Sequence, residues 1–316
     1  MCVHAITLHR TPNAMNRVVK ALLRRHQTIT GYVLVLPALI YMLFFVGYPI
    51  IDNFRLSLLD VNVMNVSHGE QPYVGLQNYR DLFEEGILVT SIVNTMIYTA
   101  ACIVLQFIIG LAFALLFSKS FRFAQRLRGF IMISWLLPAT ITAMMYKFMF
   151  SGDGVVNELM TQLHLGSHVD WLVTPVPAMI TLIIANTWIG IPFNMILLTT
   201  GLTTIPKDIY ESASIDGANA LQKFVRLTLP LLKPAIYSLL VLGFIYTFKV
   251  FELVLIATHG GPVNATQMMS TYAYKLSFEL FKFSHGAAAA NVMFVILFMV
   301  GVLYLWMVRR EEVSSS

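Results

Sequence analysis

Six apolar runs, at about residues 31–51, 88–117, 130–150, 176–200, 235–257 and 286–308, dominate this sequence. Roughly 20 consecutive apolar residues make a helix long enough to cross the hydrocarbon core of a bilayer. In that core each backbone N–H and C=O must be satisfied within the protein, which leaves helices or closed barrels as spanning structures. Runs this long and continuous predict an all-α polytopic membrane protein with six transmembrane helices. Of the 316 residues 57% are hydrophobic and only 12% are charged, against about a quarter charged in a soluble domain. The first run follows a basic start, as in a signal peptide. It is too long for one, however, and no small-residue cleavage site follows before Asp52, so it reads as the first span.

Charge is distributed by side. Fifteen of the 21 Lys and Arg lie in the N-terminal segment 1–30, the connections after the second and fourth runs, and the tail 309–316. The opposite connections hold only Arg55, Arg80, Lys275 and Lys282. The positive-inside rule then places both termini, and the segment between the fourth and fifth runs, in the cytoplasm. The 31–308 region is thus one six-span domain between a basic N-terminus and a short cytoplasmic tail. Cys2 and Cys102 imply no disulfide framework, and Cys102 reads as a small apolar side chain within a run. No phosphate-binding glycine loop, metal-ligand spacing or Ser-His-Asp arrangement appears, so the chain is expected to be neither an enzyme nor a metal protein.

Segment 203–234, TTIPKDIYESASIDGANALQKFVRLTLPLLKP, interrupts the apolar pattern with charges, a glycine and three prolines. Pro206 suits a first helical turn. Asp208 and Glu211 follow where the helix dipole favours negative charge. Asp216-Gly217 breaks the pattern, and a second helix with Leu221, Phe224, Val225 and Leu227 on its apolar side runs to Pro230. This is a cytoplasmic helix-turn-helix: either a plain connector or a docking element for another protein.

Polar groups inside the runs mark the candidate path. Lys249 and Glu252 stand three apart in the fifth run, on one face of a helix. Each alone would cost about 2.5–3.5 kcal/mol at the bilayer centre, so they are expected to pair and face inward. They are either a polar patch on a translocation path or a structural ion pair. In the fourth run Asn186, Trp188 and Asn194 flank Pro192, which breaks the helix and frees a backbone carbonyl. A broken helix near a bundle centre is a frequent transport site, and an aromatic ring beside amides suits a sugar. The other reading of these amides is helix–helix adhesion. Asn94 and Asn291 are weaker candidates, and GAAAAN at 286–291 reads as a close-packing surface. Lys147, near the end of the third run, can snorkel.

The 203–234 segment resembles the signature of inner-membrane subunits of bacterial, binding-protein-dependent, ATP-driven importers. The family reads Glu-Ala-Ala, then Asp-Gly-Ala, then Ile-x-Leu-Pro. Here stand Glu211-Ser212-Ala213, Asp216-Gly217-Ala218 and Leu227-Thr228-Leu229-Pro230, departing at Ser212 and Leu227. VGLQNY at 74–79 and THGGPVNAT at 258–266 are similar to two further family elements, the latter a marker of the first of two paired carbohydrate permeases. The resemblance covers about residues 31–310 and implies a permease in the bacterial cytoplasmic membrane. Its cargo would be a sugar, oligosaccharide or related polyol; no nucleic acid is involved. The implied partners are membrane lipid, a second permease, two copies of an ATPase and an extracytoplasmic solute-binding protein. ATP and Mg2+ would be bound by the ATPases, and this chain would bind no cofactor. Glu211, Ser212, Ala213, Asp216, Gly217 and Ala218 would form the ATPase coupling site. Glu211 would pair with a basic residue, Asp216 would cap or brace the turn and Gly217 would form it. Two rival readings are an ion-coupled secondary transporter, with Lys249 and Glu252 as coupling pair, and a non-transporting membrane assembly subunit.

Overall fold

The computed structural model describes residues 31–66, 69, 71–118, 124–166 and 168–315. The basic segment 1–30 with Cys2, and the loop cations Lys119 and Arg122, lie outside the described residues. The chain divides into two compact units, Met1–Arg55 and Leu56–Ser316. All but the last residue of helix α1 (Gly31–Leu56) belongs to the first, and over 31–51 it is apolar around its whole circumference, as a membrane helix is. Pro49 has no N–H for the Phe45 carbonyl, and just before it Leu43–Gly47 make a π turn in which the Tyr48 N–H bonds the Leu43 carbonyl.

The second unit is helical throughout, and its described residues show one isolated β-bridge, between Leu59 and Tyr73. After α2 (Gln77–Glu84) come α3 (Ile87–Phe117), α4 (Ala124–Leu136), α5 (Ala139–Met149), α6 (Val155–Gln162) and α7 (Pro175–Thr203). The 203–234 segment contributes α8 (Lys207–Ile215) and α9 (Ala220–Leu231). Then follow α10 (Lys233–Phe248), α11 (Glu252–Ala257), α12 (Met269–Tyr274) and α13 (Phe283–Ser315). Four of these helices, α1, α3, α7 and α13, are long and apolar enough to cross a membrane, and two bent pairs raise the number to as many as six.

Three expected runs depart from single straight helices or from the expected break. The run 130–150 bends by 97° between α4 and α5, because the residue before Pro138 is pushed out of helical geometry. The run 176–200 is not broken: α7 continues through Pro192. The run 235–257 stops at Phe248 and restarts at Glu252, with Phe251 at φ −133°, ψ −69°.

Three apolar clusters hold the unit together. Tyr98 and Cys102 of α3 pack with Leu182 and Ala185 of α7 and with Leu253 and Val254 of α11. Toward the start of α3, Leu82, Leu88, Phe248, Tyr272 and Ala288 form the second. Burial and the adjacent Glu85 carboxylate raise the pKa of the Tyr272 phenol, which donates to Glu85 at 3.3 Å. At the opposite end Leu111, Ala114, Leu198, Leu232 and Leu239 form the third, and Ile209, Tyr210 and Phe224 of α8 and α9 pack onto it.

Hydrogen bonds anchor the two motif-bearing loops. Asn78 donates to the carbonyls of Ser57 and Leu59 at 2.8 and 2.7 Å. Asn94 donates to those of Asn264 and Gln267, and Thr258 pairs with Thr266 at 2.7 Å. The 286–291 stretch is a close-packing surface, with Ala287, Ala288 and Ala289 buried. A Cβ on Gly286 would fall on Ser277 Oγ and 3.1 Å from the Ala273 carbonyl oxygen. Gly286→Ala is therefore expected to destabilise the chain by about 1–3 kcal/mol through overpacking. Thermal unfolding of the purified protein in detergent checks this, and an unshifted midpoint would mean that α12 and α13 yield without cost.

Candidate functional site

A cavity of about 490 Å³ opens among α3, α4, α7 and α10. Its polar lining comes from Gln106, Asn186 and Thr247, and its aromatic lining from Trp135, Phe193 and Tyr246. The rings form a chain: Trp135 and Phe193 have centroids 6.2 Å apart, as do Phe193 and Tyr246. Lys249 Nζ stands 5.2 Å from the Tyr246 centroid, a cation–π distance. The volume is that of a small-molecule site, and an apolar wall with few convergent polar groups is its usual chemistry. Amides and hydroxyls both donate and accept, so the lining is suited to a ligand rich in hydroxyl groups.

The sequence-derived path residues separate. Asn186 lines the cavity, but Trp188 does not and is 40% exposed. Two residues apart on a helix is a turn of about 200°, so the two side chains cannot face the same way. Asn194 is buried against Gln106, its Nδ2 donating to the Gly190 carbonyl at 2.9 Å and reaching Gln106 Oε1 at 3.4 Å. Asn291 is buried and donates to the Tyr79 hydroxyl at 3.1 Å, away from the cavity lining. Lys249 and Glu252 do not share a helical face, since the chain leaves helical geometry between them, and both are exposed. No ion pair joins them among the described residues. The ion-coupled reading thereby loses the pair on which it stood. Lys147 donates to the Ile256 carbonyl at 3.1 Å, binding α5 to α11.

Gln106, Trp135 and Tyr246 were missed from sequence. Gln106 had a signal: it is the sole amide between Thr95 and Phe117 in an apolar run. Trp135 and Tyr246 had none, because aromatic residues are frequent throughout this chain.

The helix-turn-helix is built as a stiff unit. Gly217 has φ +77°, a conformation that costs glycine nothing. It ends α8 in a Schellman pattern, with Gly217 N–H to the Ser214 carbonyl at 3.2 Å and Ala218 N–H to that of Ala213 at 2.9 Å. Asp216 stands at the C-cap of α8, and Asn219 braces the start of α9. Asn219 caps α9 in a reciprocal pair with Gln222, both bonds 2.9 Å, whereas Asp216 is exposed at the end of α8. Lys223 Nζ donates to Ser214 Oγ at 2.6 Å, and Tyr210 pairs with Thr228 across the two helices. Glu211 and Ser212 are exposed, and Ile215, Leu221 and Val225 present apolar side chains outward. Ala213, Asp216, Gly217 and Ala218 border a cavity of about 360 Å³ with Arg226 and Leu227.

Residues 106–312 match the family model of the binding-protein-dependent transport system inner membrane component. The chain belongs to this family. The permease is 33% identical over 293 residues to the trehalose/maltose transport system permease protein MalF of Thermococcus litoralis, covering 92% of this chain and 97% of that one. It is 32% identical to the lactose transport system permease protein LacF of Rhizobium radiobacter, covering 89% and 93%. Its fold is that of a chain of the bacterial alginate ABC transporter solved in complex with alginate pentasaccharide-bound periplasmic protein. That likeness has a TM-score of 0.77, with 23% identity and coverage of 93% and 98%.

The capping pair makes a direct test of hairpin stiffness. Asn219→Ala should weaken α9 of the permease by about 1 kcal/mol. Faster amide hydrogen exchange over 217–223, with α3 and α7 unchanged, is the expected result.

Proposed function

We propose that this permease is a membrane subunit of an ATP-driven importer for a sugar, oligosaccharide or related polyol. The observation that carries it is the aromatic chain Trp135–Phe193–Tyr246 facing the amides of Gln106 and Asn186 across one cavity. Aromatic faces pack against the C–H surface of a sugar ring, while amides exchange hydrogen bonds with its hydroxyls. The carbohydrate names of its relatives support the same class.

A cargo of this kind arrives on an extracytoplasmic binding protein, and the membrane pathway is completed by a second permease. Two ATPase copies hold the ATP and Mg2+ and dock on the 207–231 hairpin. Sidedness of charge puts that hairpin and both termini in the cytoplasm. Beside α1, α3, α7 and α13, the fifth and sixth spans of this reading come from the bent pair α4–α5 and from α10, which is joined to α9 in the other bent pair. The hairpin reaches the cavity through solid packing. Ile209, Tyr210 and Phe224 pack against the apolar cluster that includes Leu198 of α7 and Leu239 of α10, the two helices that supply most of the cavity wall. Closure of the ATPases on ATP pulls the hairpin, and α7 and α10 follow as rigid rods. Energy is transferred because nucleotide and cargo favour different arrangements of the same helices.

Two substitutions test this mechanism in the reconstituted complex. Glu211→Lys reverses a charge on the exposed docking face and should lower uptake at least about tenfold while ATP hydrolysis persists. Full uptake would remove Glu211 from the dock. Tyr246→Ala should raise the half-saturating concentration roughly three- to tenfold, assayed with radiolabelled maltose, trehalose and lactose separately. Uptake of none of the three by the wild-type complex, with the binding protein failing to bind any member of a wider sugar panel, would defeat the carbohydrate reading.

A further inference from the structure

The contact between α3 and α7 is a reciprocal lock. On α3, Gln106 and Gly110 stand four apart; on α7, Gly190 and Asn194 do the same. A Cβ on Gly190 would fall on the Gln106 amide, and a Cβ on Gly110 would come within 2.6 Å of Asn194 Cβ. Each helix thus drives an amide side chain into a glycine notch of the other. The amides also bond across the contact: Gln106 Nε2 donates to the Asn186 carbonyl at 3.0 Å, and Asn194 Nδ2 reaches Gln106 Oε1 at 3.4 Å. Gln106 is only 4% exposed, and Asn194 2%.

We propose that this double notch is a positioning element of the transport site. It sets both the depth and the rotation of α7 against α3. Sliding α7 by one residue would withdraw each amide from its notch and break both interhelical bonds. The helix turn that the lock grips, residues 186–190, is the one that presents Asn186, Ile189 and Gly190 to the cavity. Gln106 therefore acts on the cargo through α7 as well as by lining the cavity. Its consequence for transport rests on the sugar-site reading above, whereas the effect on the position of α7 does not.

The test uses the assembled complex with both native cysteines replaced by serine. Asn186→Cys leaves the lock intact, because Gln106 bonds the backbone carbonyl of residue 186. Methanethiosulfonate ethylammonium is the probe, and its labelling rate is read with no sugar present. Gln106→Leu keeps the volume and removes both amide bonds. The labelling rate at residue 186 should then change by about three- to twentyfold, the range of one interhelical hydrogen bond in a membrane. Labelling of Thr247→Cys on α10, outside the lock, should stay within about twofold. Gly190→Ala should reproduce the change at residue 186, or impair assembly, and combining it with Gln106→Ser should restore the rate or the assembly. Unchanged labelling at residue 186 in Gln106→Leu, or a double variant no better than Gly190→Ala alone, would overturn the proposal. In the uptake assay Gln106→Leu should raise half-saturation by the same factor. A wild-type complex that carries no sugar would defeat the proposed function and leave the thiol result standing.

Discussion

The packing of α3 along α7 is the contact on which the rest of the second unit depends. Both helices are almost wholly apolar, and between apolar helices in lipid the hydrophobic effect supplies no preferred partner. Close approach and interhelical hydrogen bonds must supply it instead. Glycines at 110 and 190 permit the approach, and the amides of Gln106 and Asn194 fill the space they leave. The same pair of helices contributes to the first and third apolar clusters, so α11 and the hairpin are positioned against a common rod.

From that rod the functional parts of the molecule follow in sequence along α7. Its first half joins Tyr98 and Cys102 in the core. Its middle turn carries Asn186 and Gly190 into the cavity, and its last turns hold Leu198 under the hairpin. Pro192 sits in the middle without breaking the helix. A proline in a membrane helix is tolerated when neighbours supply polar partners nearby, and here the Asn194 and Gln106 amides donate to the Gly190 and Asn186 carbonyls on either side of Trp188. A continuous α7 matters for mechanism, since a rod transmits displacement from one end to the other and a hinge would absorb it.

The site was legible in sequence to different depths. The hairpin was read from local signals: Pro206, the acidic first turn of α8 and Gly217 each act within a few residues, and the structure keeps all three near their expected places. The family resemblance implied that Asp216 caps or braces the turn; it holds the C-cap position of α8, while the reciprocal side-chain bonds at the start of α9 are those of Asn219 with Gln222. Lys249 and Glu252 were paired on the assumption of an unbroken helix. The chain leaves that geometry at Lys249–Phe251, where Ser270 bonds the Val250 carbonyl, and no local residue such as proline announces the break. Trp188 was chosen for its nearness in sequence to Asn186, whereas helical rotation separates the two and brings in Trp135 and Tyr246 from other helices.

By itself the sequence determined that the chain is helical, that it is built for a membrane, which side its charges favour, and where its one structured interruption lies. These properties arise from run length, charge placement and turn chemistry, all of which act locally or through the bilayer. Only the tertiary structure decided which polar groups share a cavity and which are consumed in packing. Asn186 and Asn291 look alike in sequence, both being amides within apolar runs, yet one lines the cavity and the other is held by Tyr79. The difference lies in which helix faces each amide, and that is fixed by close packing between segments distant in the chain.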